Sequence, residues 1–283
     1  MKQAGLILEG GGTRGVFSAG VLDYFMEQNL YLPYVIGVSA GACNAVNYVA
    51  HQHGRSKECM IDYLRDGSYA GLKYLIKKRS LFDMDLIFDV FPNSEIPFDY
   101  KTFFESDQTC ILTATNCLTG KAEYLSEKKN KKRIMAICRA SSSLPLVAPI
   151  VMVDDIPMMD GGMSDSIPIR KALKDGCKKA VIILTRNKGY IKKRTPRINK
   201  VSQMVYKEYP NLVKAIKRRP DRYNKTIEYI EKLEEAGKIF VIRPEELVVK
   251  QAETNPDVLY KFYQHGYEIA KQLYPSLIKY LEA

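Results

Sequence analysis

The fold is decided by a short stretch that combines a strand, a tight turn and a helix start, Val35-Ile36-Gly37-Val38-Ser39-Ala40-Gly41. The β-favouring residues before Gly37 predict a strand, and the small residues after Ser39 predict a helix over 40–50. A serine in a Gly-x-Ser-x-Gly turn is held at the end of a strand with its hydroxyl exposed, as a nucleophile must be. Because the pattern also occurs by chance, this stretch alone leaves both catalysis and simple packing open.

The same strand-loop-helix pattern precedes this stretch. A short apolar run over 4–9 ends in Gly10-Gly11-Gly12-Thr13-Arg14-Gly15, and a helical pattern follows over 16–28. Two such units in succession predict helices packed on a mostly parallel sheet. Further strands are predicted at 109–115, 122–125, 156–159, 179–185 and 238–242. Further helices are predicted at 134–140, 168–175, 226–236 and 256–281, the last one ended or kinked at Pro275.

Length and composition predict one large domain. The chain has 283 residues, of which 46% are hydrophobic, so it can bury a substantial core. We expect a motif-bearing catalytic core over 1–185, and a basic excursion followed by a closing strand and helices of the same domain over 186–283. Residues 55–106 are predicted to be helical and irregular, with Leu72, Leu75 and Ile76 in the core.

The distribution of cysteine, histidine and apolar residues indicates the cellular compartment of the protein and whether it binds a metal ion. The six cysteines are scattered without CxxC spacing, and the three histidines complete no zinc pattern, so we expect free thiols and no metal. No signal peptide is recognised, and no run of about 18 apolar residues predicts a spanning helix. These features favour a cytoplasmic protein, with peripheral association at the inner face of the membrane as a further expectation.

The net charge of +11 is concentrated in 128–133 and 188–222. A basic surface of this kind is either simply solvated or bound to an anionic membrane, and nucleic acid is not expected as a partner. Residues 186–222 are predicted to be an exposed excursion or lid. In the membrane interpretation, the apolar side chains within it enter the interface: Tyr190, Tyr206, Tyr209 and Leu212.

The glycine run after the first strand predicts an anion site. Glycines let several N–H groups converge on a nucleotide phosphate or on the oxyanion of an acyl-transfer intermediate. The run also satisfies G-x-G-x-x-G, but dinucleotide binding requires an acidic residue at the end of the second strand, where Ser39 stands instead. No Gly-Lys-Ser/Thr follows, so a Walker loop is excluded. A purely structural helix-strand junction remains the alternative.

A nucleophilic serine needs a base. The aspartate of Asp160-Gly161-Gly162 follows a short predicted strand and can lie in a pocket, although Asp-Gly by itself is mostly typical of turns. Ser39, Asp160 and His265 fit the chain order of a hydrolase triad. However, His265 lies inside a helical pattern, and His51 and His53 stand about a helix length from Ser39. The alternative is a dyad in which Asp160 itself accepts the serine proton.

Together, the glycine run, Gly37-Val38-Ser39-Ala40-Gly41 and Asp160-Gly161-Gly162 resemble the three sequence blocks of the patatin-like phospholipase family. Ala140-Ser141-Ser142-Ser143-Leu144-Pro145 is similar to a further block of that family, and the resemblance covers roughly residues 4–185. It implies a three-layer α/β/α sandwich with a mostly parallel central sheet. It also implies a serine lipid acyl hydrolase with a Ser39–Asp160 dyad and no cofactor.

The resemblance assigns further residues by position. It implies an oxyanion hole formed by Gly10, Gly11, Gly12, Thr13, Arg14 and Gly15, an elbow flanked by Gly37 and Gly41, and an aspartate followed by Gly161 and Gly162. Arg14 is expected to orient the glycine loop, to meet a lipid phosphate, or to form an ordinary ion pair. The substrate is expected to be a carboxylic ester of a phospholipid or related lipid. The alternative function is a non-catalytic lipid- or anion-binding protein on the same fold.

Overall fold

The computed structural model describes residues 3–67, 69, 71, 74, 80–246 and 249–283. Its strands are β1 Ala4–Leu8, β2 Tyr34–Val38, β3 Thr109–Asn116, β4 Ala122–Leu125, β5 Val151–Val153, β6 Ile156–Asp160, β7 Lys179–Ile183 and β8 Phe240–Ile242. Its main helices are α1 Gly15–Glu27, α2 Ala40–Val49, α3 Tyr100–Glu105, α4 Lys131–Ser141, α5 Ile169–Lys174, α6 Pro196–Val205, α7 Pro210–Glu235 and α8 Pro256–Glu282. Shorter helical pieces are Gly12–Arg14, Arg55–Lys57, Glu58–Asp62, Tyr63–Asp66, Leu86–Glu95 and Gly161–Met163.

All eight strands form one sheet, in the order β5-β6-β3-β2-β1-β7-β8, with β4 also paired to β3. Strands β3, β2, β1, β7 and β8 run parallel, whereas β4, β5 and β6 pair antiparallel. Parallel neighbours need crossover connections, and α1 and α2 supply them after β1 and β2. The mostly parallel sheet predicted from the sequence is therefore confirmed.

The sheet is covered on both faces, because successive residues of a strand point to opposite sides. Leu6 and Leu8 of β1 join a core with α1, α2, α4 and α8. Ile7, which lies between them, joins a second core with α5 and α7. The predicted three-layer α/β/α sandwich is confirmed.

Strands β2 and β6 meet end to end beside β3. Strand β3 pairs with β2 up to Thr113, which lies opposite Val38, and with β6 from Ala114, which lies opposite Asp160. Strand β4 occupies the other edge of β3 over 112–115, so β2 and β6 share one edge. The two strands run toward each other, and each ends where the other ends. The residue after Val38 and the last residue of β6 are thereby brought together.

Helix α8 packs unusually closely on α1. A side chain at Gly20 of α1 would overlap the carbonyl oxygen of Tyr263, and one at Gly266 of α8 would overlap that of Phe17. Only glycine permits this separation of the two backbones. The C-terminal part of the described chain thus supports the helix that begins directly after the glycine loop.

The predicted excursion over 186–222 is wrong in its second half. Helix α7 begins at Pro210 and runs through Pro220 for 26 residues, rather than beginning near 226. Proline suits the first turn of a helix, and the buried apolar face of α7 outweighs the cost of the internal proline. In the same way, α8 continues through Pro275 instead of ending there.

The side chains expected to enter a membrane interface are also placed differently. Tyr206 is 7% exposed and Leu212 is 0% exposed, because both pack into an apolar cluster beneath α7. The exposed apolar residues lie on α6 instead, where Met204 is 72% exposed and Val205 is 58% exposed. Among the described residues, no helix combines the length and the apolar character needed to cross a membrane. The predicted core positions 72, 75 and 76 lie outside the described residues.

Candidate active site

Ser39 occupies the turn between β2 and α2, as the motif predicts. Its backbone has φ 56° and ψ −127°, a combination that residues other than glycine rarely adopt. A side chain at Gly37 would overlap the carbonyl oxygen of Gly41, and one at Gly41 would come within 2.5 Å of the carbonyl oxygen of Leu8. Both glycines of the motif are therefore required for α2 to pack against the ends of β1 and β2.

Ser141 fixes the turn from the opposite side, a role that the sequence pattern did not indicate. The Ser39 N–H donates to Ser141 Oγ at 2.9 Å, and Ser141 Oγ donates to the carbonyl oxygen of Thr113 at 2.7 Å. Ser141 is the last residue of α4, so this helix ties the Ser39 turn to β3. Because the Ser39 N–H is already bonded, it is not available to a substrate oxygen.

Asp160 ends β6 and caps the short helical turn that follows. Its Oδ1 accepts the Gly162 N–H at 2.7 Å, whereas its Oδ2 has no hydrogen-bond partner among the described residues. Gly161 packs against β3, where a side chain would overlap the carbonyl oxygen of Thr113. One carboxylate oxygen of a buried aspartate is therefore left without a partner.

Burial raises the pKa of Asp160 above the usual aspartate range. Arg219, the Ser39 hydroxyl, the Gly162 N–H and Lys192 oppose this rise, in decreasing order. The Ser39 hydroxyl thus acts on Asp160 as a neighbouring donor, although it does not meet the geometry of a hydrogen bond to Oδ2. Such bonds often tighten only when a substrate is bound. A raised pKa brings this carboxylate closer to what a base acting near neutral pH requires.

The glycine loop lies against Ser39. A side chain at Gly10 would come within 2.8 Å of the Ser39 Cβ. Gly11 is extended, with φ −173°, and Gly12 is left-handed, with φ 59°. Neither the Gly11 N–H nor the Gly12 N–H has an acceptor among the described residues. Two donors are therefore free beside the serine.

A distant segment of the chain holds this loop, and no sequence signal indicated it. The Thr13 N–H donates to the carbonyl oxygen of Gln251 at 3.1 Å. Thr13 Oγ1 donates to the carbonyl oxygen of Lys250 at 3.3 Å and accepts the Glu253 N–H at 2.9 Å. A side chain at Gly12 would overlap the Gln251 carbonyl oxygen. We call these contacts the Thr13 clamp.

Ser39 stands between two pockets of opposite character. The apolar cavity has a volume of about 140 Å³ and is lined by apolar side chains of α2, α4 and the segment 82–92. The polar pocket is smaller and is lined by Asp160, Arg14, Lys192 and Arg219. Ser39 and Leu144 line both pockets. An ester bound at Ser39 can therefore place an apolar group in the first pocket and a charged group in the second.

The three histidines are engaged elsewhere. His265 Nε2 accepts the Glu245 N–H at 3.2 Å, and its ring packs on Phe17. His53 bonds to Glu27 at 2.9 Å, while His51 stacks on a tyrosine at a centroid distance of 3.9 Å. In the portion of the chain that the structure describes, no group of three His, Cys, Asp or Glu side chains is arranged to hold a metal.

Comparisons with known proteins agree with the motifs. The family model of patatin-like phospholipase matches residues 6–173, and a model of a domain of unknown function, DUF6363, matches 209–282. YjjU of Escherichia coli K12, an uncharacterized protein, is 30% identical over 186 residues, which cover 64% of this chain and 51% of YjjU. Lysophospholipase nte1 of Aspergillus terreus is 26% identical over 207 residues, which cover 69% of this chain and 12% of nte1.

Among solved structures, VipD from Legionella pneumophila aligns with a TM-score of 0.49 at 14% identity, covering 98% of this chain and 67% of VipD. This chain thus spans about half the length of YjjU and a small fraction of nte1. The matched region 6–173 contains the glycine loop, Ser39 and Asp160, and makes up more than half of the sequence. The chain belongs to the patatin-like phospholipase family.

Proposed function

We propose that this protein is a serine hydrolase of lipid carboxylic esters, with Ser39 as nucleophile and Asp160 as base. The observation that carries the proposal is the meeting of β2 and β6 beside β3, which brings together Ser39 and Asp160, whose Oδ2 has no hydrogen-bond partner among the described residues. The strained Ser39 backbone supports it, since such strain persists where the surrounding structure enforces it, as at active sites.

The proposed reaction is acyl transfer in two halves. Ser39 Oγ attacks the ester carbonyl carbon while Asp160 takes its proton, and the tetrahedral oxyanion accepts hydrogen bonds from Gly11 and Gly12. Collapse breaks the ester bond, and Asp160 returns the proton to the leaving alcohol. Asp160 then takes a proton from a water that attacks the acyl-serine. When the bond between Ser39 Oγ and the acyl carbon breaks, the carboxylic acid is released and Asp160 returns the proton to Ser39 Oγ.

The cavity supports a substrate with a single acyl chain. A volume of about 140 Å³ is close to that of an apolar cavity that holds one benzene-sized group. It is lined by apolar side chains such as Val46, Phe88 and Met135, and Ser39 lies at its wall. This space accommodates one segment of an acyl chain beside Ser39. We therefore propose a monoacyl ester, the class that the name lysophospholipase denotes for the nte1 relatives.

A fluorophosphonate probe tests the nucleophile. We expect the probe to label the wild type and the Ser142→Ala variant, and to leave Ser39→Ala unlabelled. Ser142 is a matched control, because it lines the same cavity and contacts Cys43 rather than the glycine loop. Labelling of Ser39→Ala would refute Ser39 as the nucleophile, and no labelling of the wild type would favour the alternative of a non-catalytic lipid-binding protein.

A panel of esters tests the substrate class. We expect faster release of fatty acid from lysophosphatidylcholine than from a diacyl phosphatidylcholine of the same chain length. The proposal of a monoacyl substrate fails if the diacyl lipid is hydrolysed faster.

A further inference from the structure

Three cations lie in the polar pocket beside Ser39 and Asp160: Arg14, Lys192 and Arg219. Arg14 is 5% exposed. The Nε atoms of Arg14 and Arg219 are buried and have no hydrogen-bond partner. Within the described ranges, none of the three cations takes part in a salt bridge. Unpaired cations so close together are unfavourable unless an anion joins them.

The nearby acidic groups do not balance this charge. Glu9 is already engaged, since its carboxylate accepts the Thr185 N–H at 2.7 Å and the Tyr223 hydroxyl at 2.8 Å. Asp160 is the other carboxylate of the pocket. Arg186 adds a fourth cation that acts on Arg14. Four cations therefore face two carboxylates.

Burial and, after it, the neighbouring cations lower the pKa of two of these side chains. Burial, followed by Arg219, lowers the pKa of Lys192 to about 7. Burial, followed by Arg186, lowers the pKa of Arg14 to about 10. A bound anion would favour the charged forms of both side chains.

Lys192 is held in place and is not a loose surface lysine. Its N–H donates to Asn224 Oδ1 at 2.9 Å, and the Asn224 side chain donates to its carbonyl oxygen at 3.1 Å. The ammonium group lies 4.4 Å from the ring centre of Tyr223. Arg222 joins α7 to the turn after Asp160, since it donates to the carbonyl oxygen of Met163 at 2.7 Å. Helix α7 thus places Arg219 in the pocket, and its residues Tyr223 and Asn224 contact Lys192.

We propose that the polar pocket binds the phosphate group of the ester that Ser39 hydrolyses, with Lys192 and Arg219 as its specificity-determining ligands. The proposal rests on the proposed function, because it places the phosphate on the opposite side of Ser39 from the acyl chain. A guanidinium and an ammonium group suit a phosphate through charge-assisted hydrogen bonds. Both residues lie outside the matched region 6–173, so the segment after that region supplies these ligands.

A pair of esters with the same acyl chain tests this assignment. Lysophosphatidylglycerol carries a phosphodiester, whereas monoacylglycerol carries none. Because both side chains also act on the pKa of Asp160, the readout is the ratio of kcat/KM for the two esters. Lys192→Met and Arg219→Met are each expected to lower the ratio of lysophosphatidylglycerol to monoacylglycerol hydrolysis by about tenfold or more. Lys193→Met is the matched control, since Lys193 is an exposed neighbour. Equal losses on both esters would overturn the proposal.

Two measurements with inorganic phosphate separate the possible sources of the anion. We expect inorganic phosphate to inhibit lysophosphatidylglycerol hydrolysis competitively. If it instead accelerates monoacylglycerol hydrolysis, free phosphate occupies the pocket and the headgroup assignment is overturned. In isothermal titration calorimetry, we expect Ser39→Ala to bind inorganic phosphate, and we expect the additional substitution Lys192→Met to weaken that binding. If Ser39→Ala binds no phosphate, the proposal is overturned. If phosphate binds but the wild type hydrolyses neither ester, the polar pocket is a phosphate site and the proposed hydrolase function is wrong.

The pH dependence of kcat/KM provides a second test of Lys192 as a phosphate ligand. The groups that face Lys192 are Arg219, Glu9, Arg14, Arg186, Tyr190, Tyr223 and Asp160. Because the pKa of Lys192 is about 7, kcat/KM for lysophosphatidylglycerol is expected to fall as the pH rises through that value. Monoacylglycerol should show no such fall, and Lys192→Arg should remove it. The same fall with both esters would contradict a phosphate ligand at Lys192.

Discussion

The substitution Asp160→Asn separates the chemistry of Asp160 from its structural role. The side chain keeps its shape, and its remaining oxygen still accepts the Gly162 N–H that now lies 2.7 Å from Oδ1. The free Oδ2 becomes an amide group, which donates hydrogen bonds and cannot take the Ser39 proton. The cap of the turn is retained while the base is lost.

The expected loss of activity follows from that exchange. A general base contributes about 10²–10⁴-fold, or about 3 to 5 kcal/mol of barrier lowering. We expect kcat for a monoacyl ester to fall within this range. The matched control is Asp165→Asn, because Asp165 is a half-buried aspartate that also has a raised pKa but accepts the Tyr124 hydroxyl. The control should stay within about threefold of wild type.

Although Asp160→Asn is expected to lower activity, it should raise the thermal stability of the protein. Burial holds the pKa of Asp160 above its unfolded value, so this carboxyl favours the folded state at low pH, and that contribution is lost as the pH rises through the folded pKa. The asparagine variant has no such charge. Its Tm should therefore exceed that of wild type at about pH 8, with a smaller difference at about pH 4. A folded variant that retains activity within about tenfold of wild type would refute Asp160 as the base.

Three further expectations concern the surrounding site. Gly11→Ala and Gly12→Ala should each lower kcat about 10²–10³-fold. Both should also lower Tm, because a side chain at Gly11 would come within 2.7 Å of the buried Thr185 Oγ1, while the φ of 59° and the Gln251 carbonyl oxygen exclude one at Gly12. Turnover by His265→Ala should stay within about threefold of wild type, and its abolition in a folded variant would restore the histidine triad. A double substitution of Met204 and Val205 by Asp should abolish co-sedimentation with anionic vesicles at low salt. Equal binding of wild type to neutral vesicles would exclude the anionic-membrane interpretation.

The sequence could predict the fold, because strand patterns and glycine spacings act locally. The pairing of Ser39 with Asp160 was instead implied by the resemblance of the three sequence blocks to the patatin-like phospholipase family. A strand end followed by Gly-x-Ser-x-Gly can form few other structures. The same holds for the glycine run, whose left-handed residue at Gly12 only glycine accommodates easily.

The roles of Lys192 and Arg219 could not be predicted, because a run of basic residues does not show which members become buried. That depends on α7 crossing the turn after Asp160, and the helix start at Pro210 was obscured by the polar composition around it. The contact of Ser141 with Ser39 is likewise a tertiary hydrogen bond, 102 positions apart in the chain.

The Thr13 clamp has a consequence for protein synthesis. The Thr13 hydroxyl bonds to residues 237 and 240 positions later in the chain, so the ribosome releases Ser39, Asp160 and the glycine loop well before the segment that holds the loop. Domains fold as units only once all their elements have emerged. Until α8 docks on α1, a nascent chain carries the proposed nucleophile, Ser39, while the glycine loop proposed to bind the oxyanion is not yet held in place. Hydrolytic activity is therefore expected to begin only after translation has passed residue 253, rather than when Asp160 has emerged.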